Sequence, residues 1–144
     1  MRAYKADPTN PDVHYQLARF FRIMEKPLDE RIALDQSLKL YLEKESLSRK
    51  ELWRLIDTYR RDGEYRLVRG EVLEAERSFK EGIRLYEEAV EQRVLSKDST
   101  LGKLYVGLGD LYYYEGSEFD QAFNQYEKAE ASFIQDPAVS YRKG

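Results

Sequence analysis

Residues 105–112 read Tyr-Val-Gly-Leu-Gly-Asp-Leu-Tyr, so that an aromatic residue, a Leu-Gly pair and a second aromatic residue follow one another at intervals of three. Residues 14–21, His-Tyr-Gln-Leu-Ala-Arg-Phe-Phe, repeat this form with alanine for the glycine and phenylalanine for the last tyrosine. Spacings of three and four residues place such side chains on one face of a helix. A helix that recurs within one sequence indicates an internal repeat.

A third copy lies between these two, at residues 59–66, Tyr-Arg-Arg-Asp-Gly-Glu-Tyr-Arg. Gly63 stands at the small position of this copy. Asp62 and Arg66, however, occupy positions that are apolar in the other two copies. We therefore expect three related helices, of which the middle one departs from the pattern.

Apolar residues recur three and four positions apart along the rest of the chain as well, which predicts six amphipathic helices. Two of these helices have recognisable start signals. The first is preceded by Asn10 as an N-cap before Pro11, and the third begins with a capping box formed by Ser48 and Glu51. In the second helix the predicted core stripe is Leu28, Ile32, Leu34, Leu38, Tyr41 and Leu42, and in the sixth it is Phe119, Ala122, Phe123, Tyr126, Ala129 and Phe133. The predicted spans are Pro11 to near Pro27, Leu28 to about Glu45, Ser48 to Gly70, Val72 to Val94, Leu101 to Gly116, and Phe119 to just before Pro137.

The repeated octapeptide resembles the first helix of a tetratricopeptide (TPR) repeat. In that family a small residue in the first helix lets the second helix approach closely, and a small residue in the second helix does the same in return. The second helices here carry a similar succession of small, aromatic and small residues: Ala75, Phe79 and Gly82, and again Ala122, Tyr126 and Ala129. The resemblance implies an all-α fold, an α-α superhelix of antiparallel helix pairs with about six main helices and truncated terminal ones.

On this interpretation residues 1–144 form a single helical repeat domain. Repeats span residues 11–46, 48–95 and 100–136, with the end of a preceding repeat at 1–8 and the start of a following one at 137–144, so we expect a piece of a longer solenoid. The small positions Ala18, Gly63 and Gly109 are 45 and 46 residues apart, about ten more than the family period. Because the stripe from Val72 to Val94 is unbroken, we expect longer helices here, by about 15 Å in all.

Composition excludes several classes of protein. The 144 residues contain no cysteine, 24 basic and 27 acidic residues, for a net charge of −3. A disulfide scaffold, a cysteine-ligated zinc module and an electrostatic nucleic-acid clamp are therefore disfavoured. Residues 1–13 hold no apolar run typical of a signal peptide, and no stretch approaches the roughly 18 apolar residues of a membrane span, so we expect a soluble chain. Twelve tyrosines favour a folded domain over disorder, and repeats this rich in tyrosine resemble bacterial ones.

Catalytic and metal-binding patterns find little support. His14 is the only histidine, and it lies on a stripe predicted to face the core, so a packed histidine is the better interpretation. Glu87, Glu88 and Glu91 fit a solvated face rather than an acid/base pair. Glycines 102, 107 and 109 lie inside a helical stripe, where close packing explains them better than a phosphate loop does. We expect no catalytic residue, no metal and no cofactor, and no binding of nucleic acid.

What remains is the surface formed by the first helix of each pair. In TPR proteins this surface commonly holds a peptide or a partner helix, so the resemblance implies a non-enzymatic protein-interaction scaffold. Within the run 112–114 a helix can bury only part of three consecutive tyrosines, which makes Tyr113 and Tyr114 the sharpest contact residues; contact with a following repeat is the alternative. Carried over position by position, the partner-binding residues are Tyr15, Arg19, Arg22, Ile23, Arg60, Glu64, Leu67, Lys103, Val106, Asp110, Tyr113 and Tyr114, with Asp12, Asp57 and Val68 as further positions.

Two other functions stay open at this point. One is a structural assembly module that oligomerises through its exposed cut ends, which would be apolar where neighbouring repeats are missing. The other is a regulatory or docking arm of a larger enzyme. A structural alternative also exists for Arg19 and Arg22, which could pair with Glu25 or Asp12 on the surface of their own helix.

Overall fold

The computed structural model describes residues 7–115 and 119–135, and within these ranges it contains helices and turns but no strand. The prediction of an all-α fold is thereby confirmed. The predicted stop of the fifth helix at Gly116, and the partial repeats at 1–8 and 137–144, fall wholly or mostly outside the described residues. The helices are α1 (Pro11–Ile23), α2 (Pro27–Glu43), α3 (Arg49–Val68), α4 (Val72–Glu91), α5 (Ser99–Glu115) and α6 (Phe119–Gln135).

The six helices form three pairs that stack in a row. The most extensive packing is of α1 with α2, α3 with α4, and α5 with α6. Links of three residues, 24–26 and 69–71, join the partners in the first two pairs, so these helices are antiparallel. Successive pairs meet through α2 with α3 and α4 with α5, and the first helices also touch in the order α1, α3, α5.

Both predicted start signals are present. The Asn10 side chain accepts a hydrogen bond from the backbone N–H of Asp12 at 2.9 Å, with Pro11 as the first helical residue. At the start of α3 the Ser48 hydroxyl accepts from the Glu51 N–H, while the Glu51 carboxylate accepts from the Ser48 N–H, which completes the capping box. The turn after α3 contains Gly70 at φ +77°, a left-handed conformation that glycine adopts without strain.

The middle pair has the longest helices. Helices α3 and α4 have 20 residues each, whereas α1 has 13 and each of the other three has 17. The expectation that longer helices account for the wide spacing of the small residues is therefore correct for this pair.

A phenylalanine ring fills the space that two of the glycines leave. A Cβ atom on Gly63 would lie 2.6 Å from the Phe79 ring, and one on Gly107 would lie 2.3 Å from the same ring. Phe79, which is fully buried, therefore sits between the first helices of the second and third pairs. Gly109 receives the ring of Tyr126 in the same way. Gly63, Gly107 and Gly109 thus admit aromatic rings, whereas Gly82 allows a close approach of helices, since its Cβ would lie 3.6 Å from the backbone carbonyl oxygen of Ile56.

Tyrosine hydroxyls join neighbouring helices. Each of five buried or half-buried tyrosines donates a hydrogen bond to a carboxylate on another helix. A tyrosine suits this position because its ring contributes apolar area while its hydroxyl needs a polar partner when buried. The pairs are Tyr15 with Asp57, Tyr41 with Asp12, Tyr105 with Glu87, Tyr112 with Glu76, and Tyr126 with Asp110.

Asp62 and Arg66, the two residues of the middle repeat that depart from the apolar pattern, form a polar contact between helices. Asp62 is 3% exposed and accepts hydrogen bonds from Ser78 Oγ at 2.5 Å and from Arg66 Nε at 2.9 Å. Arg66 also donates to Glu71 at 2.8 Å. A charged network therefore replaces the apolar pair found at these positions in the other repeats, and because its members are paired the cost of burying them is offset.

Part of the predicted core is wrong. Leu28, Ile32 and Leu42 are 77%, 61% and 59% exposed, and Phe123 of α6 is 65% exposed. At 100° per residue the three α2 side chains lie on the face opposite to the one that packs. The face of α2 that packs against α1 and α3 carries a mixed set of buried residues: Glu30, Ala33, Leu34, Ser37 and Tyr41.

Candidate functional site

The first helices of the three pairs line two adjoining clefts. The larger has a volume of about 730 Å³ and lies mainly between α3 and α5; we call it the apolar cleft. The smaller has a volume of about 240 Å³ and is formed by α1, by residues 53–61 of α3 and by the N-terminal half of α5; we call it the cationic cleft. Lys103 lines both clefts. The two therefore form one continuous surface along the first helices.

Aliphatic side chains dominate the apolar cleft. Two buried or half-buried rings, Phe79 and Phe133, also line it, and its charged members are Arg22, Glu64, Lys103 and Asp110. Asp110 accepts a hydrogen bond from the Tyr126 hydroxyl at 2.7 Å. The apolar side chains that α3, α4 and α5 contribute are Leu67, Val68, Val72, Val106, Leu111 and Tyr114.

Three guanidinium groups surround one tyrosine ring in the cationic cleft. The Cζ atoms of Arg19, Arg54 and Arg61 lie 6.0, 5.4 and 5.9 Å from the centre of the Tyr15 ring. Tyr15 is 4% exposed, and its hydroxyl donates to Asp57 at 2.6 Å. Burial, reinforced by the Asp57 charge, raises the pKa of Tyr15 to about 12. Arginines that converge on an aromatic face are attracted to it and are held in a fixed arrangement.

Asp57 anchors the floor of this cleft. Its carboxylate is 2.8 Å from Arg60 Nε and 2.9 Å from Arg61 Nε. Burial opposes the charge on Asp57, but the two arginines outweigh burial and hold the pKa of the carboxyl below its usual range. Asp57 is therefore an ionised group that fixes the position of two cations.

No protein-family model matches the sequence, and no curated protein matches it either.

Most of the residues predicted from the TPR resemblance meet in the two clefts. Of the twelve, Ile23 and Tyr113 line neither cleft. The other ten do, and their role in binding stays a prediction. Those in the cationic cleft are Tyr15, Arg19, Arg60 and Lys103, and those in the apolar cleft are Arg22, Glu64, Leu67, Lys103, Val106, Asp110 and Tyr114.

Several of the ten are less accessible than the prediction implied, or are already paired. Tyr15 and Arg60 are buried, and Arg60 bridges Asp57 to Glu64, with Arg60 Nη1 2.9 Å from the Glu64 carboxylate. Arg22 approaches Glu64 at 3.6 Å. The suggested pairing of Arg22 or Arg19 with Glu25 or Asp12 is wrong, because Arg19 donates to Gln16 and Asp12 pairs with Arg54.

The three consecutive tyrosines differ in exposure, as successive positions on a helix require. Tyr112 is 8% exposed, Tyr113 53% and Tyr114 75%. The last two rings stack edge to face with their centres 5.7 Å apart. Tyr114 extends the wall of the apolar cleft, whereas Tyr113 lies beside it.

Two arginines and the only tryptophan of the sequence line the cationic cleft without having been predicted from their pattern. Arg54 and Arg61 stand three residues before and four residues after Asp57, a spacing that could have placed them on the same helical face. Trp53 lines the cationic cleft and donates from Nε1 to Asp98 at 3.0 Å. No motif pointed to it.

The residues considered for catalysis or metal binding are either packed inside the fold or exposed on its surface. His14 is buried, and its Nε2 lies 2.6 Å from the Pro8 carbonyl oxygen. Glu87, Glu88 and Glu91 are exposed, as a solvated face requires. Among residues 7–115 and 119–135, no three histidine or carboxylate side chains are grouped as metal ligands. Within the same ranges, no helix combines the length and the apolar character needed to cross a membrane.

Proposed function

We propose that this chain is a TPR-like, non-enzymatic interaction module that holds a peptide or a partner helix along the first helices of its pairs. The observation that supports this proposal is the convergence of ten residues, chosen by their repeat positions, on two joined clefts lined by α1, α3 and α5. A cleft of about 730 Å³ with an apolar lining and a few charged residues at hand has the composition of a site for side chains of a ligand.

Two exposed residues provide a test that spares the fold. Val68 and Tyr114 line the apolar cleft and are 79% and 75% exposed, so Val68→Asp with Tyr114→Ala should change the cleft with little loss of stability. The matched control is Leu73→Asp with Phe123→Ala, which alters residues of similar exposure outside the cleft.

The assay is selection of displayed random peptides against the immobilised chain, followed by titration of the recovered peptides. We expect these peptides to bind the wild type and the control variant equally, and the cleft variant at least about tenfold more weakly. Recovery of no peptide, or of peptides that bind the cleft variant as well as the wild type, would reject the proposed site.

One observation favours assembly as a second candidate function. Five apolar side chains near the junction of α1 and α2 are exposed: Phe20, Ile23, Met24, Leu28 and Ile32. Surfaces of this kind mark contacts with another chain or another segment. Sedimentation over a concentration series distinguishes the two functions, since assembly requires self-association. The double variant Ile23→Ser with Leu28→Ser should then sediment as a monomer.

A further inference from the structure

The exposed face of α2 carries a regular stripe of five residues. Successive members are four, three, four and three positions apart, which is the spacing of the seam between two helices of a coiled coil. Three members are large and apolar, and each of these is more than half exposed. We call this set the outer stripe of α2. It consists of Leu28, Ile32, Asp35, Lys39 and Leu42, all of them exposed.

The matching face of α4 is charged instead. The two second helices are matched through their buried residues, because Leu34 of α2 and Phe79 of α4 are 45 positions apart, as the small residues of their first helices are. On α4 the same positions carry one apolar residue and four charged ones, all exposed: Leu73, Arg77, Lys80, Arg84 and Glu87. The apolar stripe is therefore a property of α2 and does not follow from the repeat.

The two polar members of the outer stripe carry opposite charges and lie one helical turn apart. Asp35 is 3.8 Å from Arg66, whose shorter contacts are to Asp62 and Glu71. Lys39 forms no ion pair with any residue in the described ranges 7–115 and 119–135. Both charges are therefore open to groups on another chain.

An antiparallel pairing of two copies of α2 matches the members of the stripe by character. When a two-fold axis crosses α2 at the level of residue 37, Ile32 faces Leu42 of the second copy, and Asp35 faces Lys39 of the second copy. Symmetry repeats each contact. The seam then contains two apolar layers on the outside and two ionic layers between them.

Other arrangements of the same two stripes are unfavourable. A parallel pair would place Asp35 against Asp35 and Lys39 against Lys39, so like charges would meet. An antiparallel pair shifted along the seam would place Asp35 opposite Ile32 and Lys39 opposite Leu28, so charges would be buried against apolar side chains. Polar residues at seam positions fix the register and orientation of paired helices in this way.

We propose that two copies of this chain form an antiparallel dimer through the outer stripe of α2, with Asp35 of each copy paired to Lys39 of the other. This inference rests on assembly, the second candidate function, and specifies its surface and symmetry. Leu28 and Ile32 belong both to this stripe and to the apolar patch described above. Neither cleft is involved, since no member of the stripe lines one.

The interface is small, with three large apolar side chains from each copy, so we expect a dissociation constant on the order of 10 to 100 µM. Sedimentation velocity over a concentration series that extends about tenfold above this constant measures it. Leu42→Ser removes one side of both apolar layers and should weaken the dimer at least about tenfold.

Charge reversal tests the pairing directly. Asp35→Lys leaves only positive charge in the two ionic layers, and Lys39→Asp leaves only negative charge. Each variant alone should therefore dimerise at least about tenfold more weakly than the wild type. An equimolar mixture of the two variants should dimerise again, because every lysine then faces an aspartate. The double variant Asp35→Lys with Lys39→Asp should dimerise like the wild type.

The matched controls are Glu74→Lys and Arg77→Asp, which make the same changes of charge at exposed positions of α4. Each should stay within about twofold of the wild type, because neither residue belongs to the stripe. Circular dichroism checks that all the variants remain folded.

The outcomes separate this inference from the function on which it rests. A wild type that stays monomeric over the whole series rejects the dimer and assembly together. If the wild type associates but Leu42→Ser and the charge variants associate equally well, the chain assembles through another surface and the inference is wrong. Dimerisation of Lys39→Asp alone as tight as that of the wild type, or a mixture of the two variants that stays monomeric, overturns the antiparallel pairing.

Discussion

A single methyl group on Gly107 should destabilise the junction between the second and third helix pairs. The new Cβ would lie 2.3 Å from the Phe79 ring, so the ring would have to move by about 1 Å to restore ordinary contact. It cannot move freely, because it is fully buried and Gly63 contacts it on another side. Overpacking of this kind costs about 3 kcal/mol at its upper end, and the better helix propensity of alanine returns about 1 kcal/mol. We expect a net loss of about 2 kcal/mol.

Urea unfolding followed by far-UV circular dichroism measures this loss, and the melting temperature should fall by roughly 6 °C. The decisive comparison is Gly107→Ala in a Phe79→Leu background, where the smaller side chain leaves room for the methyl group. There the substitution should be neutral or stabilising, which corresponds to a coupling energy of about 2 kcal/mol between the two positions. A Gly107→Ala variant that is more stable than the wild type, or one with the same effect in both backgrounds, would refute the role given to the ring.

Three further predictions follow from the packing. Asp62→Ala should lower the free energy of unfolding by about 2 kcal/mol, because it leaves the buried Ser78 hydroxyl without its acceptor and removes one of the carboxylates that pair with the half-buried Arg66; denaturant titration checks this. Burial raises the pKa of Tyr15 to about 12, above the unfolded value near 10, so this group stabilises the fold below pH 10 and the contribution is lost as pH rises toward 12. Urea unfolding at a series of alkaline pH values should therefore show a shallower decline for Tyr15→Phe than for the wild type. Leu28→Ser with Ile32→Ser should change stability by less than about 1 kcal/mol, whereas Leu34→Ala should cost about 3 kcal/mol, as thermal melts of both will show.

Local signals in the sequence were sufficient to locate the helices and to pair them. Asn10 before Pro11 and the box at Ser48 and Glu51 act within one turn, so their effect does not depend on the rest of the fold. The repeated octapeptide then related α1, α3 and α5 to one another. Ten of the residues chosen from that relation lie in the two clefts.

Long-range packing determined what the sequence could not show. Helix α2 has apolar residues on two opposite faces, and only contact with α1 and α3 decides that Leu34 is buried and Leu28 exposed. A buried aspartate such as Asp57 looks the same in sequence as a surface aspartate, since its partner Tyr15 is 42 residues away along the chain. Arg54 was missed because no repeat position pointed to it.

Both junctions between helix pairs contain polar contacts, and those of the first junction bear on binding. Beside the apolar contact of Phe79, the second pair is joined to the third by Tyr105 with Glu87 and by Tyr112 with Glu76. Tyr15 with Asp57 and Arg54 with Asp12 join the first pair to the second. This first junction is also the floor of the cationic cleft. Its carboxylates therefore have two effects: they reduce the positive charge of the cleft and they hold the guanidinium groups in place. Because rigid donors lose less entropy when a ligand binds, the second effect favours selective binding in this cleft.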